Sequence, residues 1–135
     1  MKNFMDDQDF LLSTKTGEEL FHNFAEGMPI VDYHCHISPK EIWDDKRFEN
    51  ITEVWLGGDH YKWRLMRANG VDERFITGDA PAREKFQKWA ETLGRCVGNP
   101  VFEWSHLELK RFFGYEGVLN GNTAQEVWDL ANAKL

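Results

Sequence analysis

The segment Ile30-Val31-Asp32-Tyr33-His34-Cys35-His36 constrains the fold more than any other part of the chain. Gly27 and Pro29 lie just before this segment and mark its beginning. Ser38-Pro39-Lys40-Glu41, which follows it, has the residues of a helix start. We therefore predict a β-strand over residues 30–36 that leads directly into a helix. Because a strand needs neighbours on its edges and no second convincing strand occurs, the pattern predicts an α/β fold whose remaining sheet lies outside this chain.

Two histidines end the predicted strand. Side chains alternate across a strand, so His34 and His36 should project from the same face. Two imidazoles suit zinc, iron, nickel or manganese, but a catalytic ion usually takes at least three protein ligands, so another would come from elsewhere. A bare His-x-His also occurs by chance, and the alternative is a strand end with two solvent-facing histidines. The strand-to-helix junction, where α/β enzymes place their chemistry, favours a metal site.

Composition limits the remaining possibilities. The chain has 135 residues, 14% of them aromatic, which is typical of one folded domain. Its net charge of −7 argues against nonspecific binding to nucleic acid or to an anionic membrane. No apolar run approaches the roughly 20 residues of a membrane span, and Met1–Asp7 is too acidic for a signal peptide, so a cytoplasmic location is expected. Cys35 and Cys96 are then expected to be free thiols rather than a disulfide, and Cys35 to be a small buried residue.

Helical patterns occupy most of the rest of the chain. Helix starts are predicted at Thr16, Pro39, Asn50, Asp59, Pro81 and Thr123. The clearest amphipathic face is formed by Phe86, Trp89, Ala90, Leu93 and Val97. A further helix is marked by Leu107, Leu109, Phe112 and Phe113, and it should end at Gly114. The last helix reaches Leu135 without a stop signal, so the sequence is expected to be cut off.

The segment from Asp59 to Arg67 contains a second group of reactive side chains. In a helix that starts at His60, the side chains of His60, Arg64 and Arg67 lie on one face, and Tyr61 lies at the border of that face. Such a face can recognise an anion, because a guanidinium holds a carboxylate through two parallel hydrogen bonds. The alternative is an exposed face whose long side chains cover Trp63. Spacing leaves both interpretations open.

The other histidines and the six tryptophans are interpreted as structural residues. His22 and His106 are expected to be packed or surface residues rather than ligands. The tryptophans, which include Trp89, Trp104 and Trp128, should fill the core, although any one of them could instead line a sugar site.

The motifs Met28–His36 and Asp59–Arg67 together resemble the N-terminal part of bacterial uronate isomerases. The whole chain fits, from Phe4-Met5-Asp6 to the terminal Trp128 and Leu135, and the joint occurrence is more specific than His-x-His, which alone indicates the amidohydrolase superfamily. The resemblance implies a cytoplasmic enzyme of hexuronate breakdown that interconverts D-glucuronate with D-fructuronate and D-galacturonate with D-tagaturonate. It also implies a distorted (β/α)₈ barrel, a divalent metal that is commonly zinc, with manganese as an alternative, and a homo-oligomer.

On this resemblance, residues 1–135 are the N-terminal part of one barrel domain, in which residues 1–38 form a lead-in helix and the first strand and residues 39–135 a helical region. His34 and His36 would be metal ligands. His60 and Tyr61 would approach the sugar acid, and Tyr61 would carry a proton. Arg64 lies beside this motif and is a further candidate for substrate binding. The family's downstream metal ligands and its downstream substrate-binding arginines match no position here. Because a barrel takes about 250 residues, the isolated chain is expected to be inactive.

Two other functions are considered. A different amidohydrolase-superfamily enzyme would use a metal-bound water to hydrolyse an ester or amide. A non-catalytic helical binding module would leave both histidines without a role. The Asp59–Arg67 motif favours the isomerase over the hydrolase, whereas the binding module predicts that the isolated chain folds cooperatively without any dependence on metal.

Overall fold

A computed structural model of the chain describes residues 8–135. Met1–Asp7 lie outside the described residues. They include the Phe4-Met5-Asp6 motif, and the expectation that the chain has no signal peptide rests on them. The described chain forms two compact units, the first ending at Cys35 and the second comprising His36–Leu135. No helix in the described part is long and apolar enough to cross a membrane.

The first unit contains helix α1, Lys15–Leu20, which continues as a π-helical turn over Phe21–Ala25. Its N-cap is Thr14 and not the predicted Thr16. Thr14 has extended backbone angles, and its Oγ1 accepts a hydrogen bond from the Gly17 N–H at 3.0 Å. The Thr14 hydroxyl satisfies a free N–H of the first turn, so the helix begins two residues earlier than the pattern predicts.

The predicted strand is not formed in this chain. Residues 30–35 have no regular secondary structure. A strand exists only when a neighbour accepts and donates its backbone hydrogen bonds, and residues 8–135 contain no other strand to do so. Ile30, Val31 and Tyr33 are consequently 92%, 82% and 95% exposed. Cys35 is also exposed, contrary to expectation, and no disulfide joins it to Cys96, as predicted.

The second unit is helical. All of residues 36–135 are described, and they form six α-helices: Pro39–Trp43 (α2), Ile51–Leu56 (α3), His60–Ala68 (α4), Ala82–Leu93 (α5), Pro100–Glu108 (α6) and Ala124–Asn132 (α7). A 3₁₀ turn spans Glu73–Phe75, and α6 continues as a π-helical turn over Leu109–Phe113. Gly114, with φ of 72°, ends that turn in a left-handed conformation that favours glycine, as the sequence predicts.

Local capping explains most helix starts in this unit. Asn50 Oδ1 accepts from the Glu53 N–H at 3.1 Å, and Asp59 Oδ1 accepts from the Tyr61 N–H at 2.9 Å, which confirms both predicted N-caps. The predicted capping box at Thr123 does not form. Its backbone is already right-handed helical, and its hydroxyl instead accepts from the Asn120 N–H at 2.9 Å.

Helix α5 supplies the centre of the core. Its residues Phe86, Trp89, Ala90 and Leu93 are fully buried, as the amphipathic pattern predicts. Val97 is 76% exposed, contrary to the pattern, because α5 ends at Leu93. Helices α3, α4 and α7 pack against α5 and complete the core with Ile51, Trp55, Met66, Val127 and Ala131.

Two polar contacts tie the end of α7 to the rest of the unit. Asn132 Oδ1 accepts from the Ile51 N–H at 2.8 Å, which satisfies a backbone donor in the first turn of α3. Lys134 Nζ donates to the Phe113 carbonyl oxygen at 2.9 Å. Helix α7 ends at Asn132, whereas the sequence pattern predicts that it continues to Leu135.

Candidate functional site

Asp59 fixes the first turn of α4. One carboxylate oxygen accepts from the backbone N–H groups of Tyr61 at 2.9 Å and Lys62 at 3.3 Å, and the other accepts from Lys62 Nζ at 2.7 Å. Burial raises the pKa of Asp59, but the hydrogen bond and charge of Lys62 outweigh it and hold that pKa below its ordinary value. Asp59 is therefore an anionic anchor for the turn that contains His60 and Tyr61.

The rings of His36, His60 and Tyr61 lie against one another. The His36 ring centre is 5.3 Å from that of Tyr61, with the planes inclined by 11°, and 5.1 Å from that of His60. His60 and Tyr61 are themselves 4.5 Å apart, and the Arg64 guanidinium carbon lies 5.4 Å from the Tyr61 ring centre. The structure thus brings together four of the five predicted site residues. The fifth, His34, belongs to the first unit, where its N–H donates to Asp32 Oδ1 at 3.2 Å.

A cavity of about 580 Å³ lies beside this cluster. Helix α4 contributes Tyr61 and Arg64 to its lining, and α6 contributes Val101 and Trp104. A cavity of this size that combines apolar surface with a few polar groups is typical of small-molecule sites.

Glu108 lines the same cavity and is not among the site residues predicted from the sequence. Its Oε2 accepts from Trp55 Nε1 at 2.8 Å. Burial raises the pKa of the Glu108 carboxyl, although the Lys62 charge and the Trp55 hydrogen bond act in the opposite direction. A glutamate in a helix is usually a surface residue, so nothing in the sequence pattern distinguishes this one.

Arg67 does not join the site. Its Nε and a terminal nitrogen donate to the two carboxylate oxygens of Glu73 at 2.8 and 2.5 Å. This pairing, with a hydrogen bond from Thr77, lowers the pKa of Glu73 to about 2. Of the two interpretations that the spacing leaves open, the exposed face fits Arg67, because its donors are already bound to a carboxylate.

The other two histidines have structural contacts, as the sequence analysis expects. His22 lies between Asp9 and Glu26, at 3.0 and 3.1 Å, and hydrogen bonds to both carboxylates raise its pKa. His106 is 1% exposed; its Nδ1 is 2.6 Å from the Phe102 carbonyl oxygen, and its Nε2 accepts from the Leu119 N–H. Burial lowers the pKa of His106, and its contacts fix a neutral ring with the proton on Nδ1.

The described residues do not form a complete metal site. Across residues 8–135, no group of three or more His, Cys, Asp or Glu side chains is arranged to hold an ion. The two imidazoles of His34 and His36 are fewer ligands than a catalytic zinc takes from a protein. Any metal would therefore need ligands that the described residues do not supply.

The cavity, the stacked rings and the arginine define a site suited to a small anionic molecule, of the kind found in enzymes. A model of the glucuronate isomerase family matches residues 1–135, and the chain belongs to that family.

Relatives agree with this assignment. The chain is 70% identical to a uronate isomerase from Lachnospira eligens and 64% identical to one from Endomicrobium trichonymphae, in each case over all 135 residues. It spans 29% of the length of each of these relatives. Its fold is similar to the crystal structure of uronate isomerase from Thermotoga maritima, with a TM-score of 0.86 and 41% identity, covering 95% of this chain and 28% of that one.

Proposed function

We propose that this chain is the N-terminal part of a uronate isomerase that interconverts D-glucuronate with D-fructuronate and D-galacturonate with D-tagaturonate. The observation that supports this most is the stacking of His36 on Tyr61, because it joins the two motifs that define the family resemblance. Membership of the glucuronate isomerase family favours this function over an amidohydrolase-superfamily hydrolase or a non-catalytic binding module.

The complete protein is proposed to be a (β/α)₈ barrel. Residues 30–36 would form its first strand once neighbouring strands are present, and residues 39–135 would be the helical region that follows. The exposure of Ile30, Val31 and Tyr33 supports this proposal, since strands of a parallel sheet are covered on both faces.

Arg64 is proposed to bind the carboxylate of the sugar acid. It lines the cavity, and within residues 8–135 it forms no salt bridge, so its charge is not neutralised by a described carboxylate. A guanidinium offers parallel donors that match the two oxygens of a carboxylate. His60, which lies against Tyr61, is proposed to hold the substrate beside that ring.

Tyr61 is proposed to carry a proton during isomerisation. The reaction moves hydrogen between neighbouring carbons, so a base must remove a proton and an acid must return it. The phenol hydroxyl can do either, and Asp59 fixes the backbone from which it projects through the hydrogen bond at 2.9 Å. The rings of His36 and His60 restrict the orientation of the phenol ring.

A divalent metal, zinc or manganese, is proposed for the longer protein, with His34 and His36 as two of its ligands. Such an ion polarises a carbonyl when it is bound. The other ligands would lie outside this chain. We also propose a cytoplasmic homo-oligomer without nucleic-acid or membrane partners; the net charge of −7 supports the absence of such partners.

A chimera tests this function. The chain replaces the matching 29% of the Lachnospira eligens uronate isomerase, and turnover of glucuronate is measured with added zinc or manganese. We expect an active chimera and an inactive isolated chain. Tyr61→Phe should lower kcat by about 10²-fold or more, the usual effect of losing a general acid or base, whereas Tyr115→Phe should not, because Tyr115 lies in the core.

The metal and carboxylate proposals have separate tests in the chimera. His34→Ala or His36→Ala should reduce the metal content and abolish turnover while circular dichroism shows an intact fold. Arg64→Lys should mainly raise KM, because lysine keeps the charge but loses the paired donors. Normal kinetics in Tyr61→Phe would exclude the proton-transfer role. Turnover by the isolated chain above that of its His34→Ala variant would contradict the expectation that the isolated chain is inactive.

A further inference from the structure

Helix α6 presents apolar residues on two sides. On one side Phe102 is buried in the core, as is Leu109 in the π-helical turn that follows. On the other, Val101 and Trp104 are neighbours on the helix surface because they are three residues apart, and both line the cavity of about 580 Å³. The core therefore accounts for only one of the two apolar sides of this helix.

Trp104 is 54% exposed, whereas Trp89 on the neighbouring helix α5 is fully buried. Removing apolar surface from water stabilises a complex by about 25 cal/mol per Å², and an indole is the largest such surface a side chain offers. A ligand that covers the Trp104 ring in the cavity would thus gain affinity without needing a further hydrogen bond.

The polar residues of the cavity indicate what kind of ligand this is. Arg64 on α4 provides a cation, whereas the other charged lining residues are already engaged: Lys62 pairs with Asp59 at 2.7 Å, and Glu108 accepts from Trp55. The Oδ1 of Asn99 accepts from the Val101 N–H, and the amide nitrogen of Asn99 is the group that can bond a hydroxyl. A hexuronate combines one carboxylate, several hydroxyls and a row of C–H groups. This combination matches a cation, a polar amide and a flat aromatic ring in one cavity.

We propose that Trp104 is a substrate-positioning residue whose indole packs against the C–H groups of the hexuronate while Arg64 binds its carboxylate. This inference rests on the proposed function. In this proposal, α6 contacts a side of the substrate that the histidines and Tyr61 do not contact. It also makes Trp104 a determinant of KM rather than of the proton-transfer step.

Nuclear magnetic resonance of the uniformly ¹⁵N-labelled isolated chain tests the contact directly, because it reports both the indole N–H groups and the backbone amides of the other cavity residues. Added D-glucuronate should shift the Trp104 indole signal saturably and leave the signal of Trp43 unchanged, since Trp43 is 88% exposed and does not line this cavity. D-Glucose, which keeps the C–H groups but lacks the carboxylate, should bind about 10-fold more weakly or worse, equivalent to about 1.4 kcal/mol.

Kinetics in the chimera separate positioning from stability. Trp104→Ala should raise KM for glucuronate by about 10-fold with kcat changed by less than about 2-fold, and Trp104→Phe should restore most of the loss because it keeps an aromatic face. Trp43→Ala is the matched control and should leave both constants unchanged.

Three outcomes would overturn the inference. In the first, glucuronate shifts the signals of Tyr61 and Arg64 but not that of Trp104, so the proposed function survives and the role of Trp104 does not. In the second, Trp104→Ala lowers thermal stability with KM unchanged, which shows that the indole packs against protein. In the third, no cavity residue shifts saturably with glucuronate, and turnover by the chimera then decides separately whether the proposed function also fails.

Discussion

Helices α1 and α5 have similar sequence patterns and different surroundings. Helix α1, taken together with the π-helical turn that continues it, and helix α5 both begin at a recognisable start and carry large apolar residues at helical spacing. In α5, Phe86 and Leu93 are fully buried, whereas Leu20 and Phe24 in the first unit are 57% and 68% exposed. Helices α3, α4 and α7 pack around α5, but the described residues of the first unit contain no second α-helix.

This difference shows which property a periodic pattern determines. The spacing of apolar residues decides which side of a helix is apolar, because that depends on the rotation per residue. Burial depends on neighbours that come from distant parts of the chain. The first unit therefore has the apolar pattern of a packed helix, but Leu20 and Phe24 stay exposed. Substitutions in the two units should consequently change stability by very different amounts.

The largest difference is expected between Phe86→Ala and Phe24→Ala. Phe86 is fully buried, with its ring centre 5.6 Å from that of Trp128, so its truncation leaves a cavity and should lower the free energy of unfolding by about 3–5 kcal/mol. Phe24→Ala should change it by less than about 0.5 kcal/mol. Urea denaturation followed by circular dichroism measures both, and equal effects would show that the first unit is packed as tightly as the second.

A smaller loss, about 2–3 kcal/mol, is expected for His106→Leu. The change leaves the buried N–H of Leu119 and the carbonyl oxygen of Phe102 without this side chain as a partner. The corresponding variant of the first unit is His22→Leu, which removes exposed contacts to carboxylates and should have little effect on stability. An unfolding midpoint for His106→Leu that equals that of the parent chain would contradict the role of His106 in the core.

These two histidines should also respond to pH in opposite directions. Because the pKa of His106 is lowered in the folded state, its contribution is complete above about pH 6.5 and is lost as the pH falls from there towards the folded pKa. Because the pKa of His22 is raised, its contribution is present below about pH 6.5 and is lost as the pH rises through the folded pKa. Proton resonances of the two rings report both shifts, and His106→Leu should remove the loss of stability that begins below about pH 6.5.

Helix caps offer a third comparison between the units. Asn50→Ala removes a cap from α3, which packs on α5, and should cost about 1 kcal/mol of global stability. Thr14→Ala removes the equivalent cap from α1 and should reduce local helicity only, without moving the unfolding transition of the second unit. Hydrogen exchange resolves the two effects residue by residue; a shift of the global midpoint in Thr14→Ala would show that the two units unfold together.

The smallest effect is expected on the exposed surface of the second unit. Arg67→Ala should raise the pKa of Glu73 from about 2 towards its ordinary value of 4.5, since the guanidinium bonds are the main cause of the shift. The stabilisation linked to this carboxylate is present above that ordinary value and is lost as the pH falls towards 2. Carbon resonances of Glu73 follow the titration, and an unchanged pKa in the variant would assign the shift to Thr77 instead.

The predictable features of this fold are those that depend on nearby residues. The caps at Asn50 and Asp59 were predictable because each bonds an N–H within three residues of itself. The buried face of α5 was predictable for the same reason. The strand over residues 30–36 was not confirmed, because its hydrogen bonds need partners that the described residues do not provide.

The site was only partly predictable. Helical spacing grouped Tyr61 with Arg64, and the family resemblance added His36, but neither could show that the His36 ring stacks on Tyr61. Glu108 was not predicted as a site residue and the role of Arg67 stayed open, because their environments are set by Trp55 and Glu73, which the pattern does not relate to them. Contacts of this kind depend on tertiary packing, which no local spacing encodes.

The hydrogen bond from the Ile51 N–H to Asn132 has a consequence for biosynthesis. It joins residues 81 positions apart, so during translation the Ile51 N–H has no such acceptor until the last helix has left the ribosome. At about 5–20 residues per second, that interval lasts roughly 4–16 s. Throughout it, the first turn of α3 must be hydrated or held by a chaperone, and the nascent helical unit can close only after α7 emerges.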